Sequence, residues 1–175
     1  MGLITLLIFP LLALPILYFS DRNFWDLFTI ARDQILSTSL FLSMGIFFGL
    51  VVIWMSELPF FEKSLSNYKR LLDNFKITIW RAIYLSVCAG VGEEIFFRGA
   101  VQPLLGITLT AVFFVAIHGY FSLKDWKVSF FALLLTGFIM VLGWAAKELS
   151  LWHAIAGHFS YDLVLLIYLS KQDDD

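Results

Sequence analysis

Runs of almost uninterrupted apolar residues, each long enough to cross a bilayer, recur along this chain and constrain its fold more than any other feature. Crossing about 30 Å of hydrocarbon takes roughly 20 helical residues. Six runs meet or approach that length: "LITLLIFPLLALPILYF" (3–19), then about 35–56, 79–105, 107–121, 128–146 and 149–170. Composition agrees, since the chain is 60% hydrophobic and only 15% charged, with a mean hydropathy of +0.85. Soluble domains run near 45–50% apolar and about 25% charged. The expected fold is therefore all-α, a polytopic membrane helical bundle of about six transmembrane helices forming one integral domain over residues 1–175.

The segments between and within the runs refine that expectation. Pro10 and Pro15 fall inside the first run, where a membrane helix tolerates them if its neighbours satisfy the freed carbonyls. A cleaved signal peptide is the competing reading of this run, but no Lys or Arg precedes it and no A-x-A site follows it. Between the second and third runs, Phe61, Leu65, Tyr68, Leu72 and Phe75 recur at helical spacing opposite Glu62, Lys63, Lys69, Arg70 and Asp73. That pattern predicts one interfacial amphipathic helix. Trp54, Trp80, Trp126, Trp144 and Trp152 stand near the ends of runs, where indoles favour the headgroup level.

Charge sets an orientation. Six crossings place Lys63, Lys69, Arg70, Lys76, Arg81, Lys124, Lys127 and Lys171 on one side, against Arg22, Arg32, Lys147 and the intramembrane Arg98. The side richer in Lys and Arg is expected to be cytoplasmic, and with it both termini. The net charge of -2 and the lack of a basic cluster give no sign of a nucleic-acid partner. Cys88 is the single cysteine and cannot form an internal disulfide. Buried among Val, Ala and Gly, it reads as an inert thiol rather than a nucleophile.

Against this background a few polar residues stand out: Glu93, Glu94, Arg98, His118, His158 and Asp162, with His153 nearer the end of a run. A charge at the bilayer centre costs about 2.5–3.5 kcal/mol on the gentlest scale, so several of them must converge on each other or on water. Depth supports convergence. Glu93 lies 13 residues before Gly106, a plausible turn, and His118 lies 12 after it. At 1.5 Å per residue both sit roughly 18–20 Å from that turn, and His158 lies roughly 17 Å from the turn marked by Lys147. Asp162 follows His158 by four residues on the same helix face, and Glu94 and Arg98 can pair in the same way along theirs. Glu93, rotated about 100° from Glu94, is left to meet neighbouring helices. His153 beside Trp152 reads as interfacial rather than catalytic, and Gly90, Gly92 and Gly99 as points of close helix approach.

The set "EEIFFR" (93–98), "FVAIH" (114–118) and "HFSYD" (158–162) resembles the three ordered motifs of the CAAX protease and bacteriocin-processing family. These motifs are E-E-x-x-x-R, F-x-x-x-H and H-x-x-x-N or D. The resemblance covers about 80 residues, and it implies an intramembrane endopeptidase of the glutamic type with its catalytic core at about 79–170. It implies that Glu93 activates water with His118, that Glu94 and Arg98 support the site, and that His158 and Asp162 face the developing oxyanion. Asp162 departs from the Asn of the prenyl-processing relatives. An ionised aspartate cannot donate to an oxyanion, so it is expected either to be protonated or to orient His158.

The chemistry is coherent without a cofactor, because a buried carboxylate can accept a proton from water while His158 donates to the oxyanion. The alternative readings are a zinc protease, in which Glu93, His118 and His158 hold the metal, and a non-catalytic scaffold or transporter whose charges form a network. No H-E-x-x-H is present to favour zinc. The resemblance implies a membrane-anchored or lipidated protein or peptide as substrate. The short chain and brief loops suggest a multi-pass protein of a bacterial cytoplasmic membrane. Phe113 and Phe114, beside the second motif, are candidates to line the substrate pocket.

Overall fold

The structure, a computed structural model, describes residues 2–29, 34–61, 64, 77–122 and 124–172. Six α-helices account for most of them: α1 (Gly2–Phe19), α2 (Gln34–Glu57), α3 (Ile79–Glu94), α4 (Gln102–Ile117), α5 (Trp126–Glu148) and α6 (Leu151–Gln172). A 3₁₀ turn, Phe24–Phe28, follows α1, and a π-helical stretch, Ile95–Val101, joins α3 to α4 without a break. No strand occurs among the described residues. Most of the predicted interfacial segment, including Leu65, Tyr68, Leu72 and Phe75, lies outside the described residues.

Among the described residues, four helical stretches are long and apolar enough to cross a membrane: Gly2–Phe19, Gln34–Glu57, Ile79–Ile117 and Trp126–Glu148. The third is 39 residues long, about twice what one crossing requires. It is divided at Gly106, whose φ of 78° and ψ of 169° break the helical path. Only glycine adopts that conformation readily, so the turn expected there forms a helical hairpin. α6 is 22 residues long but less apolar, because it carries His153, His158 and Asp162.

The second arm of the hairpin is shorter than its run of apolar residues suggests. α4 ends at Ile117, and Gly119 with φ of 78° turns the chain away, rather than the helix running on to 121. From Gly106 this arm reaches only about 16 Å at 1.5 Å per residue, roughly half a bilayer. His118 therefore caps a half-length helix instead of lying within a full one. Non-helical backbone at such depth is tolerated where it is buried in protein or lines a water-filled cavity.

Packing is what holds the bundle, since apolar surface alone does not drive helices together in lipid. α6 packs against α2, α3 and α5. At the α2–α6 crossing, a Cβ on Gly45 would collide with the carbonyl of Gly157 and the hydroxyl of Ser160. α1 joins the bundle, burying Ala13 and Leu17 against Ile95, Ala100 and Ile155. A Cβ on Gly92 would lie 2.6 Å from the Thr5 carbonyl of α1, so this approach requires glycine. Gly90 faces Phe159 and Gly99 faces Leu27, matching the close contacts expected of both. Trp54, Trp80, Trp126 and Trp144 are exposed near helix ends, whereas Trp152 is partly buried and donates Nε1–H to the Phe28 carbonyl at 3.0 Å.

His153, near the start of α6, is fully buried in the bundle, with Nε2 2.7 Å from the Ser37 hydroxyl and Nδ1 2.8 Å from that of Ser150. Two hydroxyls supply the partners that a headgroup region would otherwise provide, and they tie α2 to the start of α6.

Candidate active site

The polar residues picked out from the sequence meet on three elements. Glu93 and Glu94 end α3, His118 caps α4, and His158 and Asp162 lie one turn apart on α6. Glu94 and Arg98 pair as their spacing predicts, Nε donating to Oε2 at 2.9 Å with both side chains fully buried. Glu94 has a second role that the spacing does not reveal. Its Oε1 accepts from Nδ1 of His158 at 2.9 Å, so one carboxylate joins α3, the π-helical stretch and α6. The guanidinium of Arg98 lies over the Phe114 ring, 5.7 Å from its centroid.

Glu93 faces the other way, as its rotation from Glu94 predicts. Its Oε2 lies 3.5 Å from Nε2 of His118 and has no hydrogen-bond partner among the described residues. The two descriptions agree, because 3.5 Å is beyond a strong hydrogen bond. On the far side of the ring, Nδ1 of His118 is 2.7 Å from the Phe114 carbonyl. A carbonyl only accepts, so Nδ1 carries the proton and Nε2 is the nitrogen turned toward Glu93. The Phe114 and His118 rings stack with centroids 4.5 Å apart, which further fixes the imidazole.

His158 is held at both nitrogens. Glu94 takes Nδ1, and Oδ2 of Asp162 lies 3.5 Å from Nε2. Asp162 thus approaches the outward nitrogen, while the orientation of the ring is set by Glu94. This redistributes the expected roles, because a residue read only as Arg98's partner is also the anchor of His158.

Glu93, His118, His158 and Asp162 line a cavity of about 160 Å³ together with Phe114, Tyr120 and Tyr161. That volume accommodates several waters. Phe113, the other aromatic expected here, is exposed instead and does not line it. A larger cavity, about 570 Å³, lies near the 3₁₀ turn and is bordered by Asp21, Arg22, Asp26 and Ser150. None of Glu93, His118, His158 or Asp162 lines that cavity.

A family model described as Type II CAAX prenyl endopeptidase Rce1-like matches residues 75–164. The chain belongs to the Rce1-like family. The match spans about half of the sequence and takes in all three motifs, from Glu93 to Asp162. No curated protein and no solved structure matches the chain. Rce1-like membership and the apolar helices make this an integral membrane protein of a CAAX-protease-like family.

The π-helical stretch is the feature of the site that the sequence does not announce. Such turns are rare and gather at functional sites. Here one begins immediately after Glu94 and contains Arg98. It carries neither Pro nor an unusual composition, "IFFRGAV", that would mark it in advance.

Proposed function

We propose that this Rce1-like protein is an intramembrane endopeptidase that hydrolyses a peptide bond of a membrane-anchored or lipidated substrate, using water activated by Glu93 and His118. The observation that carries the proposal is Glu93 itself, which lines a cavity with room for water and keeps a buried Oε2 without a hydrogen bond, 3.5 Å from His118 Nε2. A water there can donate one proton to the Glu93–His118 pair as its oxygen attacks the peptide carbonyl. The carbonyl oxygen becomes an oxyanion, for which His158 is a donor through Nε2–H if it is protonated at both nitrogens, Nδ1–H remaining on Glu94. Collapse breaks the C–N bond, and the proton held by the pair passes to the leaving nitrogen. No covalent acyl-enzyme forms.

The proposed mechanism uses no metal. In this reading His158 works through its protein partners, Glu94 at Nδ1 and Asp162 against Nε2. The orientation that accompanies this reading puts both termini in the cytoplasm of a bacterial cell.

The test uses purified protein in liposomes and an internally quenched, farnesylated peptide ending in a CAAX sequence. Cleavage by the wild-type chain, unchanged by chelators and abolished in Glu93→Gln, is the expected result. An uncut peptide, or loss of activity on chelation with recovery on adding zinc, overturns the proposal.

A further inference from the structure

Hydrolysis by the route above places a negative charge on the carbonyl oxygen, and a buried oxyanion needs more than one donor to be stabilised well. His158 is the only one of the proposed catalytic residues placed to donate, and its Nε2 already faces Asp162 at 3.5 Å. An ionised Asp162 adds acceptors and no donor. A second donor must come from another group on the cavity wall.

α6 supplies one. Residues 158, 161, 162 and 165 recur at i, i+3, i+4 and i+7, one face of a helix. All four line the same cavity as Glu93 and His118. Tyr161 is about nine-tenths buried. Its ring is fixed between helices, with centroids 5.3 Å from Phe138 on α5 and 5.8 Å from Phe48 on α2. Its hydroxyl is within electrostatic reach of Asp162 and Tyr120, and makes no hydrogen bond among the described residues. This is a phenol held by packing, whose O–H has no hydrogen-bond partner among the described residues. Tyr120 also lines the cavity, from the non-helical segment after α4, with its ring 6.0 Å from that of Phe131 on α5.

We infer that Tyr161 is a further catalytic residue, whose O–H donates a hydrogen bond to the scissile carbonyl as it becomes an oxyanion, from the same face of α6 as the donor of His158. The inference rests on the proteolytic reading of this site. No proton leaves Tyr161 in the step. The phenol stays neutral throughout, the water proton goes to the Glu93–His118 pair, and the hydrogen bond weakens again when the C–N bond breaks.

The test is Tyr161→Phe, which keeps the ring and its packing and removes only the donor. It is assayed in liposomes on the farnesylated CAAX peptide beside wild type and Glu93→Gln. Loss of one such donor lowers kcat about 100-fold in other hydrolases, and a fall of that order with KM within about twofold and an unchanged unfolding temperature is expected. A kcat close to wild type, or a loss accompanied by lower thermal stability, overturns the inference while leaving the Glu93 reading intact. Substituting difluorotyrosine at 161 preserves shape and acidifies the O–H. The alkaline limb of the kcat profile is then expected to move to lower pH, and an unmoved limb counts against the donor role. If wild type leaves the peptide uncut or Glu93→Gln still cleaves it, the reading of the site fails and this inference with it.

Discussion

Nδ1 of His158 lies 2.9 Å from Oε1 of Glu94, whose other oxygen accepts from Arg98 at the same distance. A single fully buried carboxylate therefore fixes an imidazole on α6 and a guanidinium in the π-helical stretch at once. Glu93, the neighbouring residue, is left open to the cavity. The two adjacent glutamates differ because one is enclosed by donors and the other is not.

Removing Arg98 takes away the full positive charge beside buried Glu94 and leaves it only the His158 hydrogen bond. Arg98→Ala is expected to cost about 3–5 kcal/mol, the usual penalty for an uncompensated buried charge. Thermal unfolding in detergent measures it. A midpoint equal to wild type would mean that Glu94 is neutral in the folded protein.

The two histidines are expected to fail in different ways. His118→Ala removes the partner of Glu93 and is expected to lower kcat by roughly 10²–10⁴-fold. His158→Ala removes an oxyanion donor, with a loss of about 10²–10³-fold. Peptide cleavage under saturating substrate checks both. Activity retained in either variant removes that residue from the mechanism.

How much of this site could be read in advance follows from what helical counting measures. Depth is one-dimensional, so a rise of 1.5 Å per residue was enough to bring Glu93, His118 and His158 level. Contacts also depend on rotation, and the π-helical stretch after Glu94 changes the phase of everything beyond it. The bond between Glu94 and His158 joins residues 64 apart in sequence, and no periodicity encodes it. The early end of α4 is set by Gly119 at φ of 78°, whereas hydropathy continues smoothly through "FVAIHGYF". His153 beside Trp152 resembles an interfacial pair, and its burial follows from Ser37, which is 116 residues away. The fold class was legible because long apolar runs admit few alternatives.

Close helix approach gives a prediction with an internal control. Gly92→Ala places a Cβ 2.6 Å from the Thr5 carbonyl and is expected to cost about 1–3 kcal/mol through overpacking. Gly137→Ala meets nothing within 4 Å in α5 and is expected to be neutral or to stabilise by up to about 1 kcal/mol. Opposite signs in thermal unfolding support the α1–α3 contact, and equal effects contradict it.

Outside the membrane-spanning segments, Asp125 caps α5 by accepting from the Lys127 N–H at 3.0 Å. Its carboxyl is held below the usual aspartate range, chiefly by a hydrogen bond from Ser64, which outweighs the opposing effect of burial, with the amides of Lys127 and Val128 adding less. A depressed pKa contributes stability above the unfolded value and loses it as pH falls through the folded one. Asp125→Ala is thus expected to lower the unfolding temperature at neutral pH and to make little difference in strong acid. Melting curves at both pH values check the sign.

The central claim is that Glu93 activates the water that cuts the substrate, and it is tested most directly by the cleavage rate of Glu93→Gln in liposomes, with folding confirmed by an unchanged melting curve. The amide preserves shape and removes the base, so the account predicts no cleavage of the farnesylated CAAX peptide above background. Cleavage by folded Glu93→Gln at the wild-type rate would contradict it.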